Sequence, residues 1–201
     1  MVTMALAFMA VTAAQAAAAS RFESSFEGPS LSGLQSTTNF LTFGTSGHLE
    51  CTEAAFIGMT AGKIQESIVL HPVYAGCSLP PLGSATVSTT GCNYQFHAAT
   101  GGDRMGTMDI LCEGTSKISI ATSSCTFLLP SQTNLHGVSY QNEAGHFSIS
   151  TTLANVTYEK KKPEGQTCFL ISGAATYTGD ITVRAFKETL SSEEVEYHWV
   201  E

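Results

Sequence analysis

The residues best suited to chemistry are a histidine and an aspartate that a predicted β-hairpin brings together. Cys92–His97 and residues 107–112 both alternate apolar with polar side chains, which is typical of strands. A turn centred at Gly102 then places His97 and Asp109 close together on one polar face. An imidazole oriented by a carboxylate is the arrangement of a general base. The alternative, a surface histidine beside a solvated aspartate, is the interpretation that the sequence favours.

Other histidines and carboxylates are further candidates for catalytic or metal-binding groups. His136, Glu143 and His146 surround a predicted hairpin, but their spacing matches no metal-ligand motif. GxSxG, HExxH, a phosphate-binding glycine loop and an EF-hand loop are all absent. A hydrolase site assembled from scattered Ser, His and Asp residues stays open, because a triad is defined by geometry rather than by order. We therefore expect no bound metal and no cofactor, and the sequence identifies no residue as catalytic.

Aromatic side chains offer a third kind of site, a stacking platform for the flat face of a sugar. Core positions or cross-strand pairs explain most of them better. The candidates are Tyr74, Tyr94, Tyr140, Tyr158, Tyr177 and Trp199. Residues 155–157 (Asn-Val-Thr) also match the N-glycosylation sequon, which matters only in a source that glycosylates.

The hairpin that would position His97 has a well-specified register. One face is wholly apolar and the other carries the polar pairs Gln95 with Asp109 and His97 with Thr107. The apolar pairs are Cys92 with Cys112, Tyr94 with Ile110, and Phe96 with Met108. A slip by one residue would mix the two faces, so the pattern selects this register and predicts a Cys92–Cys112 disulfide.

The other four cysteines predict two further disulfides. Cys51 and Cys77 are opposed if their hairpin turns near Ile64, although that register also places Glu53 and His71 on the cysteine face. By elimination Cys125 pairs with Cys168, one choice among the fifteen pairings that six cysteines allow. An even set without CxxC pairs is typical of an exported, disulfide-stabilised protein rather than a cytosolic one.

The composition favours strands and turns, because Gly, Ser and Thr are abundant and strong helix formers are few after residue 20. Ten or more short strands with turn signals every eight to twelve residues predict an all-β fold. We expect an antiparallel β-sandwich stapled by three disulfides, with a closed antiparallel barrel as the alternative. Residues 21–36 read as an irregular arm with one short strand near Phe22. Residues 195–200 read as a strand rather than a short helix.

The N-terminus predicts export. Residues 1–19 are apolar and end in Ala-rich sites of the kind that signal peptidase accepts, so residues 1–19 form a signal peptide and residues 20–201 a single domain. A positive n-region is missing, since the first basic residue is Arg21. A membrane anchor is the alternative, but the apolar run is shorter than a span requires.

The charge balance limits the classes of molecule that this protein can bind. Nine Lys and Arg against seventeen Asp and Glu give a net charge of −8, and the largest basic cluster is residues 160–162. Binding to nucleic acid needs a cationic surface, so this class of partner is excluded.

The order of several short pieces resembles exported six-cysteine β-rich proteins of soil actinobacteria. The pieces are Cys51 with Ala55-Phe56-Ile57-Gly58, then Tyr74 and Cys77, Gly91-Cys92-Asn93-Tyr94, Cys112-Glu113-Gly114, Cys125, and Pro130-Ser131-Gln132. The resemblance implies export and carries no activity. We expect a secreted or envelope-located, non-catalytic binding or structural module. The sequence does not identify its ligand, for which a glycan, a small molecule and an envelope component are the candidates. A secreted hydrolase is the alternative.

Overall fold

The computed structural model describes residues 20–44, 47–98, 104–161, 168, 173–189 and 191–200. The predicted signal peptide lies outside these residues. Every regular element among them is a β-strand, so the described chain has no helix that could cross a membrane. The sixteen strands are β1 (Arg21–Ser24), β2 (Ser30–Gln35), β3 (Asn39–Thr42), β4 (His48–Met59), β5 (Ile64–Gln65), β6 (Ser67–Ser78), β7 (Thr86–Ser88), β8 (Cys92–His97), β9 (Met105–Cys112), β10 (Ile118–Ala121), β11 (Thr126–Leu129), β12 (Gln132–Glu143), β13 (His146–Lys161), β14 (Gly173–Phe186), β15 (Glu194–Val195) and β16 (Tyr197–Val200).

Eight of these strands form a closed antiparallel barrel. Each pairs with the next in the order β2, β4, β6, β8, β9, β12, β13, β14, and β14 pairs back to β2. The all-β class is confirmed, and the barrel alternative is right where the predicted sandwich is wrong. The physical reason is the β2–β14 ladder, which joins the two edges that a sandwich would leave separate. Residues 21–36 are therefore not an irregular arm, since they contain β1 and the ring strand β2.

Extra strands extend the barrel at the end where β6 and β9 finish. At this end β3, rather than β2, lies between β14 and β4 and pairs with both. A second extension starts at the last residues of β13, which pair with β11, and β10 and β7 follow in that order. The residues just before β7 lie against β6, because the Ala85 amide donates to the Cys77 carbonyl over 2.9 Å. Pro72 lies in β6 beyond its last pair with β8, Leu70 with Tyr94, so its missing N–H costs no ladder hydrogen bond there.

A small sheet of β1, β5 and β16 packs against the opposite end of the barrel. Phe22 of β1 is fully buried between Tyr140, Phe147 and Tyr197, with ring centroids 5.2–6.4 Å apart. Asn142 fixes the last strand, because its side chain donates to the Trp199 carbonyl and accepts from the Trp199 amide. The C-terminal residues are thus strands, as predicted, and they carry part of the core.

The central hairpin has the predicted register. Cys92 pairs with Cys112, Tyr94 with Ile110, and His97 with Thr107. Three disulfides join Cys51 to Cys77, Cys92 to Cys112, and Cys125 to Cys168, and no described cysteine is free. These are the pairs that the sequence predicts. Three disulfides indicate an oxidising, non-cytoplasmic compartment.

Candidate functional site

A concave cleft of about 540 Å³ lies on the outer wall of the barrel across β8, β9 and β12. We call it the wall cleft. Its polar side chains come from three adjacent strands, because His97 pairs with Thr107 and Thr107 pairs with His136. The lining residues are His97, Ala98, Met105, Gly106, Thr107, Asp109, Thr133, Asn134, His136 and Gly137.

The wall cleft contains the histidine–aspartate pair that the sequence singled out. The Nε2 of His97 lies 3.0 Å from Oδ2 of Asp109. A carboxylate only accepts, so Nε2 carries the proton of this hydrogen bond, and in the neutral form of the ring Nδ1 is then an acceptor. Asp109 is well covered, with 14% of its side chain exposed against 35% for His97. The pair is therefore a fixed feature of the wall rather than two freely solvated side chains.

Two β-bulges in β12 shape the cleft. The pairing of β12 with β9 shifts register between Gln132 and Leu135 and again between His136 and Val138. Asn134 in the first bulge has a φ of 59°, and its amide donates to Oδ1 of Asp109 over 2.6 Å. Bulges bend a strand and redirect its side chains, so this double irregularity explains why a hollow forms on an otherwise convex wall. Both oxygens of Asp109 are thereby occupied.

The second bulge depends on Gly137, which gives a test of this architecture. Gly137 has a φ of 108°, and a Cβ there would lie 2.1 Å from the Thr152 carbonyl oxygen. We expect Gly137→Ala to lower the free energy of unfolding by about 3 kcal/mol, from strain and a displaced ladder. Urea unfolding followed by circular dichroism measures the change.

Gly173→Ala is the matched control, because a Cβ at Gly173 meets no atom within 4 Å. It should change the free energy of unfolding by less than about 0.5 kcal/mol. Equal stability of the two variants would contradict the bulge at Gly137.

The structure does not bring His136, Glu143 and His146 together as one set of metal ligands. Glu143 and His146 do meet, with Nε2 and Oε2 3.0 Å apart, but they lie at the β12–β13 turn while His136 lies in the wall cleft. No group of three or more metal-ligating side chains exists among the described residues. The hydrogen bond from Ser148, together with His146, lowers the pKa of the Glu143 carboxyl.

The aromatic candidates are core residues rather than a sugar platform. Tyr94, Tyr140, Tyr158 and Trp199 are each at most 6% exposed, so no ring face among them is open to a ligand. Tyr140 also donates to the His97 carbonyl over 2.6 Å, which ties the core to the wall cleft.

Three tyrosines form a directed hydrogen-bond chain inside the barrel. The Tyr177 hydroxyl donates to Oδ1 of Asn39 over 2.5 Å, and Asn39 donates to Oε1 of Gln35 over 2.7 Å. Because the Tyr177 hydroxyl already donates its hydrogen to Asn39, it can only accept from Tyr74, whose hydroxyl donates to it over 3.2 Å. Tyr94 must then donate to Tyr74 over 3.1 Å. Burial raises the pKa of all three phenols.

The cavity beside these tyrosines is small. Its volume is about 40 Å³, room for about three water molecules and too little for a sugar or a drug-sized ligand. Aliphatic side chains such as Leu41, Ile110 and Leu153 supply most of its lining. The barrel interior here is a packed core, so the outer wall is the place to look for ligand binding.

The sequence predicts His97 and Asp109 together but misses the β12 side of the cleft. The hairpin predicted around Glu143 does not indicate that its first strand, β12, begins as early as Gln132. Asn134 and Gly137, residue types that tolerate positive φ, were the available signal for the bulges.

The chain matches no protein-family model, no curated protein and no solved structure.

Proposed function

We propose that this protein is an exported, non-catalytic binding module and that the wall cleft is its ligand site. The observation that carries the proposal is a concave polar site, held by the His97–Asp109 pair, on a barrel whose interior is packed. Convergent polar groups in a preformed hollow are the usual mark of a ligand site. Asp109 accepts from both His97 and the Asn134 amide, so the site is organised before a ligand arrives.

The lining supports an uncharged, hydroxyl-rich ligand, which means a glycan. Apart from the fully engaged Asp109 carboxylate and the imidazoles, no ionisable side chain lines the cleft among the described residues. The Nδ1 of neutral His97 accepts a hydrogen bond, while Thr107 and Thr133 both donate and accept, which suits sugar hydroxyls. Met105, 53% exposed, offers apolar surface to the C–H face of a sugar ring.

Export is supported by several independent features. The three disulfides need an oxidising compartment, and the apolar residues 1–19 have the composition of a signal peptide. The resemblance to exported six-cysteine proteins of soil actinobacteria points the same way. In such a compartment the glycans of the cell envelope are the ligands at hand.

The test is a glycan array followed by calorimetric titration of the best glycan. We expect His97→Gln and Asp109→Asn each to weaken binding roughly tenfold to a hundredfold, because each removes one or two hydrogen bonds to or within the site. Stability should stay close to wild type for His97→Gln, since its ring is partly exposed.

The control variant is His146→Gln. His146 also contacts a carboxylate at 3.0 Å, that of Glu143, but it lies outside the wall cleft. It should leave glycan affinity unchanged. An array without a ligand, or equal losses in His97→Gln and His146→Gln, would overturn the proposal.

The histidine–aspartate pair also favours a second function, a hydrolase in which His97 activates water. Against it, Asp109 is the one side chain that hydrogen-bonds the His97 ring among the described residues, so no serine or cysteine nucleophile is engaged. A screen with esterase, glycosidase and peptidase substrates separates the two. Turnover that His97→Gln abolishes, with folding intact, would establish the hydrolase.

A further inference from the structure

Exposed aliphatic side chains gather on one wall of the barrel. Seven large hydrophobic residues are exposed among the described residues, and five of them lie on the outer surface of β2, β4 and β6. We call this surface the β4 face, defined by Leu34, Ile57, Met59, Val69 and Val73. These side chains are between 38% and 66% exposed. Contiguous apolar patches of this kind are rare on monomeric proteins and mark interaction sites.

The strand register shows that the patch is continuous. Leu34 pairs with Ala55 and Ala55 with Val73, which makes one row across the three strands. Ile57 lies two residues beyond Ala55 along β4 and forms the second row. Met59 lies two residues further and forms the third row. Residues directly opposite in an antiparallel pair share a face, so the five side chains lie on the same outer surface within three adjacent rows.

The same three rows carry no fixed charge. The positions they take from β2, β4 and β6 hold aliphatic residues, Ala, Ser and His71, and no Lys, Arg, Asp or Glu. The nearest cation on β14, Arg184, is paired with Glu194 at 2.8 Å. On a chain of net charge −8, these three rows can meet in two copies without bringing carboxylates together, since Glu53 lies in the row beyond Ala55.

The β4 face also has a matching protrusion and hollow. Met59 is the most exposed of its residues, at 66%. Two rows away, a hollow of about 470 Å³ lies between Leu34 and Val73, over Ala55 and Ala75, and Glu53 borders it at the side away from Met59. A two-fold axis lying in the interface and running across the strands through the row of Ile57 exchanges these rows. It brings Met59 of each copy over the hollow of the other.

We propose that the β4 face binds a second copy of this chain, forming a two-fold dimer by sheet-on-sheet packing. Ile57 meets its own counterpart on the axis, and Met59 fills the hollow of the partner, which is the self-complementary pattern of an isologous interface. Outer sheet walls covered with aliphatic side chains pack in this way about 10 Å apart. The absence of cations in the three rows disfavours the other candidate occupant, an anionic membrane surface.

The wall cleft and the β4 face are built on different strands of the barrel. The barrel order places β9, the centre of the wall cleft, three strands away from β4 in one direction and five in the other. Their centres are therefore three strands apart, and the two surfaces approach each other at β6 and β8, where Val69 pairs with Gln95 and Ser67 with His97. The dimer inference thus stands independently of the proposed function.

The test is sedimentation-velocity ultracentrifugation over a range of concentrations, with the protein purified from an oxidising compartment. We expect a monomer–dimer equilibrium that Ile57→Lys weakens at least a hundredfold, because the variant places two ammonium groups opposite each other. Met59→Ser should weaken it at least tenfold by emptying the hollow. Ser150→Lys, at an exposed position on β13, is the matched control and should sediment like wild type.

Three results would overturn the dimer. One is a wild-type chain that stays monomeric at every concentration. Another is a dimer that Ile57→Lys leaves intact while circular dichroism shows native folding. A third is a monomer that binds phosphatidylcholine vesicles through the β4 face and loses that binding in Ile57→Lys, which would assign the face to a lipid surface.

Discussion

Raising the pH from 10 to 12 is expected to unfold the domain in a single steep transition. Tyrosine in an unfolded chain has a pKa of about 10. Burial raises the pKa of Tyr94 to about 12. Burial also raises the pKa of Tyr74, Tyr140, Tyr177 and Tyr197. Above pH 10 the unfolded chain therefore loses phenol protons that the folded chain keeps.

The sign of the effect follows from proton linkage. When the unfolded state binds fewer protons, the free energy of unfolding falls as the pH rises. Each raised phenol contributes a loss of about 1.4 kcal/mol per pH unit between its unfolded and folded pKa. Five such groups lose several kcal/mol per unit, against a total stability of about 5–15 kcal/mol for an ordinary domain. Below pH 10 this stability is fully present.

Two optical signals check the prediction. Absorbance of phenolate at 295 nm and the far-ultraviolet circular dichroism should change together, because the buried phenols ionise only when the barrel opens. Tyr140→Phe should shift the transition to higher pH, provided its stability at pH 7 is first measured and subtracted. Phenols that titrate near pH 10 while the circular dichroism stays native would contradict the buried tyrosine chain.

Reducing the three disulfides is the second change with a large expected effect. They close loops of 20, 26 and 43 residues in sequence. Each stabilises by about 3 kcal/mol in the chain-entropy model, so the three together approach the whole stability of a domain. We expect excess dithiothreitol at 37 °C to collapse the dispersed methyl and amide signals of the proton NMR spectrum.

Replacing both cysteines of one disulfide with serine, for each disulfide in turn, compares how much the three disulfides contribute to the free energy of unfolding. Removing Cys125–Cys168 should cost the most, because it closes the longest loop. Peptide mapping without reduction should recover Cys92 joined to Cys112 and the two other pairs. Any different pairing, or a reduced protein that keeps its dispersed spectrum at 37 °C, would contradict the role assigned to the disulfides.

The central hairpin was predictable because both of its faces carry information. Cys92, Tyr94 and Phe96 are buried, while Gln95 and His97 face outward, so only one register satisfies both patterns. The contact of His97 with Asp109 followed directly from that register.

Barrel closure was not predictable in the same way. Alternation within a strand tells which side is buried but not which distant strand lies beside it, so sandwich and barrel give the same pattern. β2 was missed because its sequence, SLSGLQ, places Leu34 outward, where it is 62% exposed on the β4 face, and Gly33 inward. The wall cleft required the bulges of β12, whose register shifts depend on backbone geometry at Asn134 and Gly137.

The ladder between β2 and β14 also fixes when this protein can fold. It joins the first ring strand to the last, so the ring cannot close until nearly the whole chain has been made and delivered. Contacts between such distant segments make folding slow, on the millisecond-to-second scale. Until β14 arrives, β2 has a free edge that other chains can join. A chain that must be complete before its ring closes therefore keeps the β2 edge open throughout its synthesis, whatever the order in which the other hairpins form.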